Sequence, residues 1–147
     1  MNQNVKKLKE IKKHSEDMMN KYGYVVHNVF PSKDDDEILC SHHTHGIRES
    51  FNHADLEIVL PLDPKMVAQI FYSMVELIKQ GESFEDKLSS DKVIKNFDVQ
   101  LVKVHDGTRE LIRVIIPDMN GKFPGDKDCA NVFSNQLDDL NNLNQYV

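Results

Sequence analysis

The feature that most constrains this chain is a helix punctuated at both ends. Asp63 offers a side-chain oxygen to the free amides of a helix start, and Pro64 already carries the φ that a first helical position needs. Met66, Val67, Ile70, Phe71, Met74, Leu77 and Ile78 then recur as one broad apolar stripe. Gly81 stands where a left-handed residue ends a helix. A stripe that wide has to be buried against another layer. The segments on either side read as strands, so that layer is a sheet.

Tyr24 to Phe30 is β-branched and aromatic and predicts a strand. Pro31 to Glu37 follows as a turn, so Ile38 to Ile47 is expected to return antiparallel. Four adjacent acids in that turn lack the alternation and the glycine of a calcium loop, and read as a solvated hairpin loop. Ala54 to Leu62 is a third strand, with Leu56, Ile58 and Leu60 on one face. Glu82 to Asn96 reads as a loop with at most one helical turn. Phe97 to His105 and Arg109 to Ile116 are two further strands. They are joined at Asp106-Gly107, where a type I′ turn is expected. The second of them is apolar on both faces at Val114 to Ile116, which predicts a central strand. A weak helix is expected over Cys129 to Leu140.

The expected fold is therefore α+β: a mostly antiparallel sheet of about five strands, with the long central helix and an N-terminal helix packed on it. Residues 1–22 carry that amphipathic N-terminal helix, through Val5, Leu8, Ile11, Met18, Met19 and Tyr22. Residues 23–140 form a single domain, and 141–147 an Asn-rich frayed tail.

Charge narrows the partners. The 147 residues carry a net charge of −6, yet residues 1–22 hold a net of +3, leaving −9 for the rest. An acidic body argues against non-specific nucleic-acid binding, and the lysines of the first helix read as a solvated face. No apolar run approaches the ~18 residues of a spanning helix, so no membrane role is expected. Two cysteines and no secretory leader point to a cytoplasmic protein with free thiols.

The chemistry-bearing stretch is Ser41-His42-His43-Thr44-His45-Gly46, followed by His53-Ala54-Asp55-Leu56-Glu57. On a strand, His43 and His45 share a face at roughly 6.5–7 Å. Both rings can then reach one zinc ion, with Zn–N bonds of ~2.0–2.1 Å. His53, Asp55 or Glu57 is the expected source of a third ligand if the two strands pair, with His53 the first choice. The same region admits acid–base chemistry, with His53 as general base oriented by Asp55 or Asp118. No phosphate loop, nucleophile elbow or dinucleotide fingerprint occurs. No cofactor is expected, a divalent metal at these histidines being the one exception.

The order of landmarks carries a resemblance. Thr44-x-Gly46-Ile47, His53-Ala54-Asp55-Leu56, a Pro-initiated helix and Pro117-Asp118-x-x-Gly121-x-Phe123-Pro124 resemble the uncharacterised bacterial domain-of-unknown-function family 4262. That family reads Tyr-Thr-x-Gly-Leu, then His-Pro-Glu-Leu, then Pro-Asp-x-x-Gly-x-Phe-Pro-Trp. Here His43 stands in place of the Tyr, Ala54 and Asp55 replace Pro and Glu, and Gly125 replaces the Trp. The resemblance implies no activity. It directs attention to His53, Asp55, Thr44, Gly46, Asp118 and Phe123, with Thr44, Gly46 and Phe123 as ligand-binding candidates if the two polar corners meet in space. The reading is a non-enzymatic module that binds a protein partner or a small ligand. The alternative is a metal-dependent or His/Asp acid–base enzyme, hydrolase-like, using His43, His45, His53 and Asp55.

Overall fold

The computed structural model describes residues 2–30 and 40–140. The acidic turn expected at 31–37 and the tail expected at 141–147 lie outside them. Helix α1 (Asn2–Tyr22) leads into strand β1 (Val25–Val29). Next come β2 (Ser41–His45), a short helix α2 (Ile47–Phe51) and β3 (Asp55–Ile58). The long helix α3 (Pro64–Lys79) is followed by β4 (Ser89–Ile94), β5 (Phe97–Asp106) and β6 (Arg109–Ile115). Helix α4 (Asn131–Ser134) and a 3-10 turn (Asn135–Leu137) follow, and residues 138–140 continue as helix to the end of the described chain. No described helix is long and apolar enough to cross a membrane.

The fold is α+β, with six strands in the order β1-β2-β3-β6-β5-β4. Every neighbouring pair is antiparallel except β3 and β6, which run parallel because α3 and the β4–β5 hairpin separate them in the chain. β6 lies between β3 and β5, as its apolar run on both faces requires.

Helix α3 forms where its punctuation places it. Asp63 Oδ1 accepts from the Lys65 amide at 2.8 Å. At the other end Gly81, with φ +103°, donates to Ile78, and Glu82 donates to Leu77. This pair of bonds satisfies the last carbonyls. Val67, Phe71, Met74 and Val75 are fully covered and pack on Leu56, Ile58, Ile112, Val114, Val99 and Leu101 of the sheet. Burying each such side chain contributes about 1.5–3 kcal/mol before the entropy of ordering it.

Three expectations are corrected. The segment read as a loop contains β4, whose polar Ser89-Ser90-Asp91-Lys92 run hid it. An edge strand with one wet face needs few apolar residues, and polar edges resist unwanted pairing. The β5–β6 turn is centred one residue later than expected. Asp106 pairs with Arg109, leaving Gly107 (φ +64°) and Thr108 as the loop, the Gly-first pattern of a type II′ turn. Helix α1 rests on the body only through its C-terminal half. Val5, Leu8 and Ile11 are all exposed, whereas Met18, Met19 and Tyr22 are half-buried.

Candidate functional site

Alternation along the strands sorts the polar residues onto two faces. Toward α3 point His42 and Thr44, both buried. The His42 ring nitrogens lie 2.6 Å from Asn28 Oδ1 and 3.0 Å from the Leu60 carbonyl, so this histidine ties β2 to β1 and to the chain beyond β3. Burial pushes its pKa down. Its other neighbour, Cys40, lies 3.4 Å from Nε2. Burial pushes that thiol up, away from the reactive thiolate.

Thr44 is the centre of a closed network. Its hydroxyl donates to Asp55 Oδ1 at 2.8 Å and accepts from the Leu56 amide at 2.9 Å. Asp55 Oδ1 also accepts from the Ile47 amide at 3.0 Å, and Oδ2 lies 3.4 Å from Arg109 Nη2. Arg109 in turn donates to the Thr44 carbonyl. These contacts lock β2, the start of α2, β3 and β6 together. They leave the Asp55 carboxylate committed to structure.

His53 is equally committed. Its Nδ1 lies 2.8 Å from the Ala54 carbonyl, and Nε2 accepts from the Phe84 amide at 2.9 Å. Those partners require the neutral Nδ1–H tautomer. The ring borders a polar cavity of ≈ 390 Å³ that Arg48, Asp86, Lys103 and Glu110 also line. With both nitrogens engaged, the imidazole straps the exit of α3 to the entry of β3.

Gly46 is a packing requirement. Its φ is +108°, and a Cβ there would fall 2.6 Å from Met19 Sδ and 2.8 Å from the Gly23 carbonyl oxygen. The residue lets α1 lie against the end of β2.

Asp118 sits elsewhere. The strand pairing sets Leu111 beside Asp55, so Asp118 lies seven residues further along, roughly 20 Å away at strand rise. The two polar corners are thus at opposite ends of the central strands, because β3 and β6 run parallel. Asp118 does not face His53. Its carboxylate accepts from the amides of Asn120, Lys122 and Ala130 at 2.9, 2.9 and 3.0 Å. The Ala130 bond, followed by the Lys122 bond, holds its pKa below the usual carboxylate range. This explains the Pro117-Asp118-x-x-Gly121 motif: one side chain closes the whole turn.

That turn forms a rim of an apolar groove. Leu62, Met66 and Ile70 from the α3 side, Phe97 and Ile116 from the sheet, and Phe133 from α4 line a cavity of ≈ 500 Å³, with Met119 of the turn at its edge. Phe123 lies beyond the rim, in an adjoining cavity of ≈ 410 Å³ shared with Phe97, Pro117 and Met119. Thr44 and Gly46 reach neither.

On the sheet face opposite α3, His43 and His45 lie side by side as their spacing requires, with ring centres 5.0 Å apart. His53 does not join them. The third ring is His27, whose cross-strand partner is His43. Its centre lies 5.7 Å from that of His43 and 4.6 Å from that of His45. Burial, then the neighbouring His45, His27 and Arg109, push His43 down to about 4, against the pull of Asp106. His45 is lowered by burial, then by Arg109 and His27. A lone histidine in β1 gives no sequence signal. The signal is the hairpin register, which the sequence does not state.

The same face carries a second network that single residues did not reveal. Arg113 donates to Glu57, to the Gln136 carbonyl and, through two parallel bonds of 2.7 and 2.8 Å, to Asp139. Gln136 completes the clamp by bonding both the amide and the carbonyl of Ile116. Among the described residues, no three or more His, Cys, Asp or Glu side chains stand in a metal-holding arrangement.

A model of the family described as domain of unknown function (DUF4262) matches residues 18–130. The chain belongs to that family. The DUF4262 region takes in the Thr44–Asp55 network, His53, the three neighbouring imidazoles and the Asp118 turn. The exposed half of α1 and the Gln136–Asp139 clamp lie outside it. No curated protein and no solved structure gives a significant match.

Proposed function

We propose that this DUF4262 protein is a non-enzymatic binding module whose ligand is a small, largely apolar molecule held in the groove between α3, the end of β6 and Phe133. One observation carries this reading: a concavity of ≈ 500 Å³ with apolar walls. That volume falls within the ~300–1,000 Å³ usual for small-molecule sites. Met66 and Met119 at its mouth are 53% and 83% exposed, and flexible thioethers adapt to ligand shape. This reading is favoured over the acid–base alternative because His53, Asp55 and Asp118 each hydrogen-bond within the fold, and Asp118 lies at the other end of the strands. The two cysteines are unpaired, which suits the reducing cytoplasm.

The test is a titration with the apolar fluorophore 8-anilinonaphthalene-1-sulfonate, followed in parallel by amide NMR shifts. Saturable one-to-one binding with shifts at Met66, Ile116 and Met119 is expected. Met66→Glu, which places a charge at the mouth, should weaken it about tenfold or more, while Leu88→Glu on the exposed β4 side should not. Binding that does not saturate, or that ignores Met66→Glu, overturns the proposal.

A further inference from the structure

Three neighbouring imidazoles on one sheet face take no part in the groove, and only His45 touches a hydrogen-bonding network, through Arg109. We propose that His27, His43 and His45 bind one divalent transition-metal ion, each through a ring nitrogen. The argument begins with backbone geometry. His43 and His45 alternate on β2, and the antiparallel register sets His27 of β1 opposite His43. The three ring centres are therefore 4.6, 5.0 and 5.7 Å apart. Three imidazoles radiating from one tetrahedral ion, with metal–nitrogen bonds of about 2.0–2.1 Å, have their ring centres roughly 5 Å apart. The backbone already supplies that spacing.

The rings at rest do not converge. His27 and His43 stack at 25° between planes, whereas ligands on one ion splay outward. This is why no ready-made ligand set is present. Coordination therefore requires rotation about the side-chain torsions to turn the nitrogens toward one point while the strands stay in place. His27 is exposed and free to make that turn, and His43 and His45 are only half-buried. A bound cation has the Arg109 guanidinium as a neighbour, 3.4 Å from His45 Nε2, with that charge shared with Asp55 and the Thr44 carbonyl. Asp106 acts on His43 from the β5 end, and Asp55 and Glu49 act on His45. The neutral state favoured at His43 and His45 is the one that coordinates. Three nitrogen donors select zinc, nickel, cobalt or copper over magnesium and calcium, which prefer oxygen.

The experiment uses untagged full-length protein, stripped of metal and titrated with Co²⁺ and then Zn²⁺. One equivalent of Co²⁺ with visible absorption of a tetrahedral or five-coordinate site, displaced by Zn²⁺, is the expected result. His27→Ala and His45→Ala should each weaken binding at least tenfold, and His105→Ala should not. Should a variant lose its fold by circular dichroism, imidazole NMR of the wild type decides instead. Zn²⁺ should then shift His27, His43 and His45 while sparing His14 and His105. Absence of stoichiometric binding, binding retained by the folded His27→Ala/His45→Ala double variant, or shifts confined to other histidines overturns the site.

Discussion

Glu57 and Arg113 are joined across the parallel β3–β6 pair by an Nε–H···Oε1 bond of 2.7 Å, with the guanidinium only 4% exposed. Burial works against the charge on Arg113, but the hydrogen bonds and charges of Asp139 and Glu57 together hold its pKa above the ordinary arginine value. Such a pair stabilises only while both members are present.

Removing Glu57 leaves a buried guanidinium with part of its shell missing. Glu57→Ala is expected to lower stability by about 3–5 kcal/mol, whereas Glu57→Gln, which keeps an acceptor, costs less. Urea denaturation at neutral pH measures both. Equal and small losses would mean that the C-terminal clamp alone satisfies Arg113.

Thr44 has a hydroxyl that both donates and accepts inside a fully buried site. Thr44→Val keeps the shape but leaves Asp55 and the Leu56 amide each short of a partner, at about 1–3 kcal/mol for each unsatisfied group. Thr44→Ser retains the hydroxyl and should lose far less, mainly the methyl packing. A Val variant as stable as the Ser variant would remove this network from the account of what fixes β2 on β3.

The layers of this fold were legible in the sequence because they rest on local signals. Asp63, Pro64 and Gly81 mark a helix through backbone chemistry that acts within a few residues, and the Leu56-Ile58-Leu60 alternation names its own buried face. The parallel pairing of β3 and β6 was not legible, since no local signal encodes which distant strand becomes a neighbour. That pairing is what sends Asp118 to the far end of the sheet from His53. A second pairing, the β1–β2 hairpin register, brings His27 to His43 and His45, while the nearer His53 precedes β3 and does not join them. The polar edge strand β4 was missed for a related reason. Its stability comes from the ladder with β5, not from apolar content.

Gly46 and Gly121 both have positive φ, at +108° and +75°, yet they differ in what surrounds them. Gly121→Ala meets nothing within 4 Å and incurs only backbone strain, about 1 kcal/mol. Gly46→Ala adds a clash with a backbone carbonyl that cannot retreat, so strain and overpacking of about 1–3 kcal/mol each combine. Thermal unfolding of the two variants should separate them widely. Similar losses would mean that α1 moves aside at little cost.

Among the titrations that shape the acid response, those of His43 and Asp139 act in different windows. His43 is pushed down to about 4 in the folded chain from an ordinary 6.5. The unfolded chain therefore takes up this proton first. The stability associated with the neutral ring is complete above pH about 6.5 and is lost as pH falls toward about 4. Asp139 is held low first by its hydrogen bond from Arg113, so its contribution is present above the ordinary carboxylate value of 3.8 and disappears only below it. Urea midpoints followed downward from pH 7 should fall through the first window in the wild type. His43→Gln should fall less steeply there, with the residual slope owed in part to His45. Asp139→Asn should leave that slope unchanged and remove a contribution lost only in stronger acid. Parallel curves for the wild type and His43→Gln between pH 6.5 and 4 would show that the imidazole cluster accepts its proton without cost to the β1–β2 hairpin.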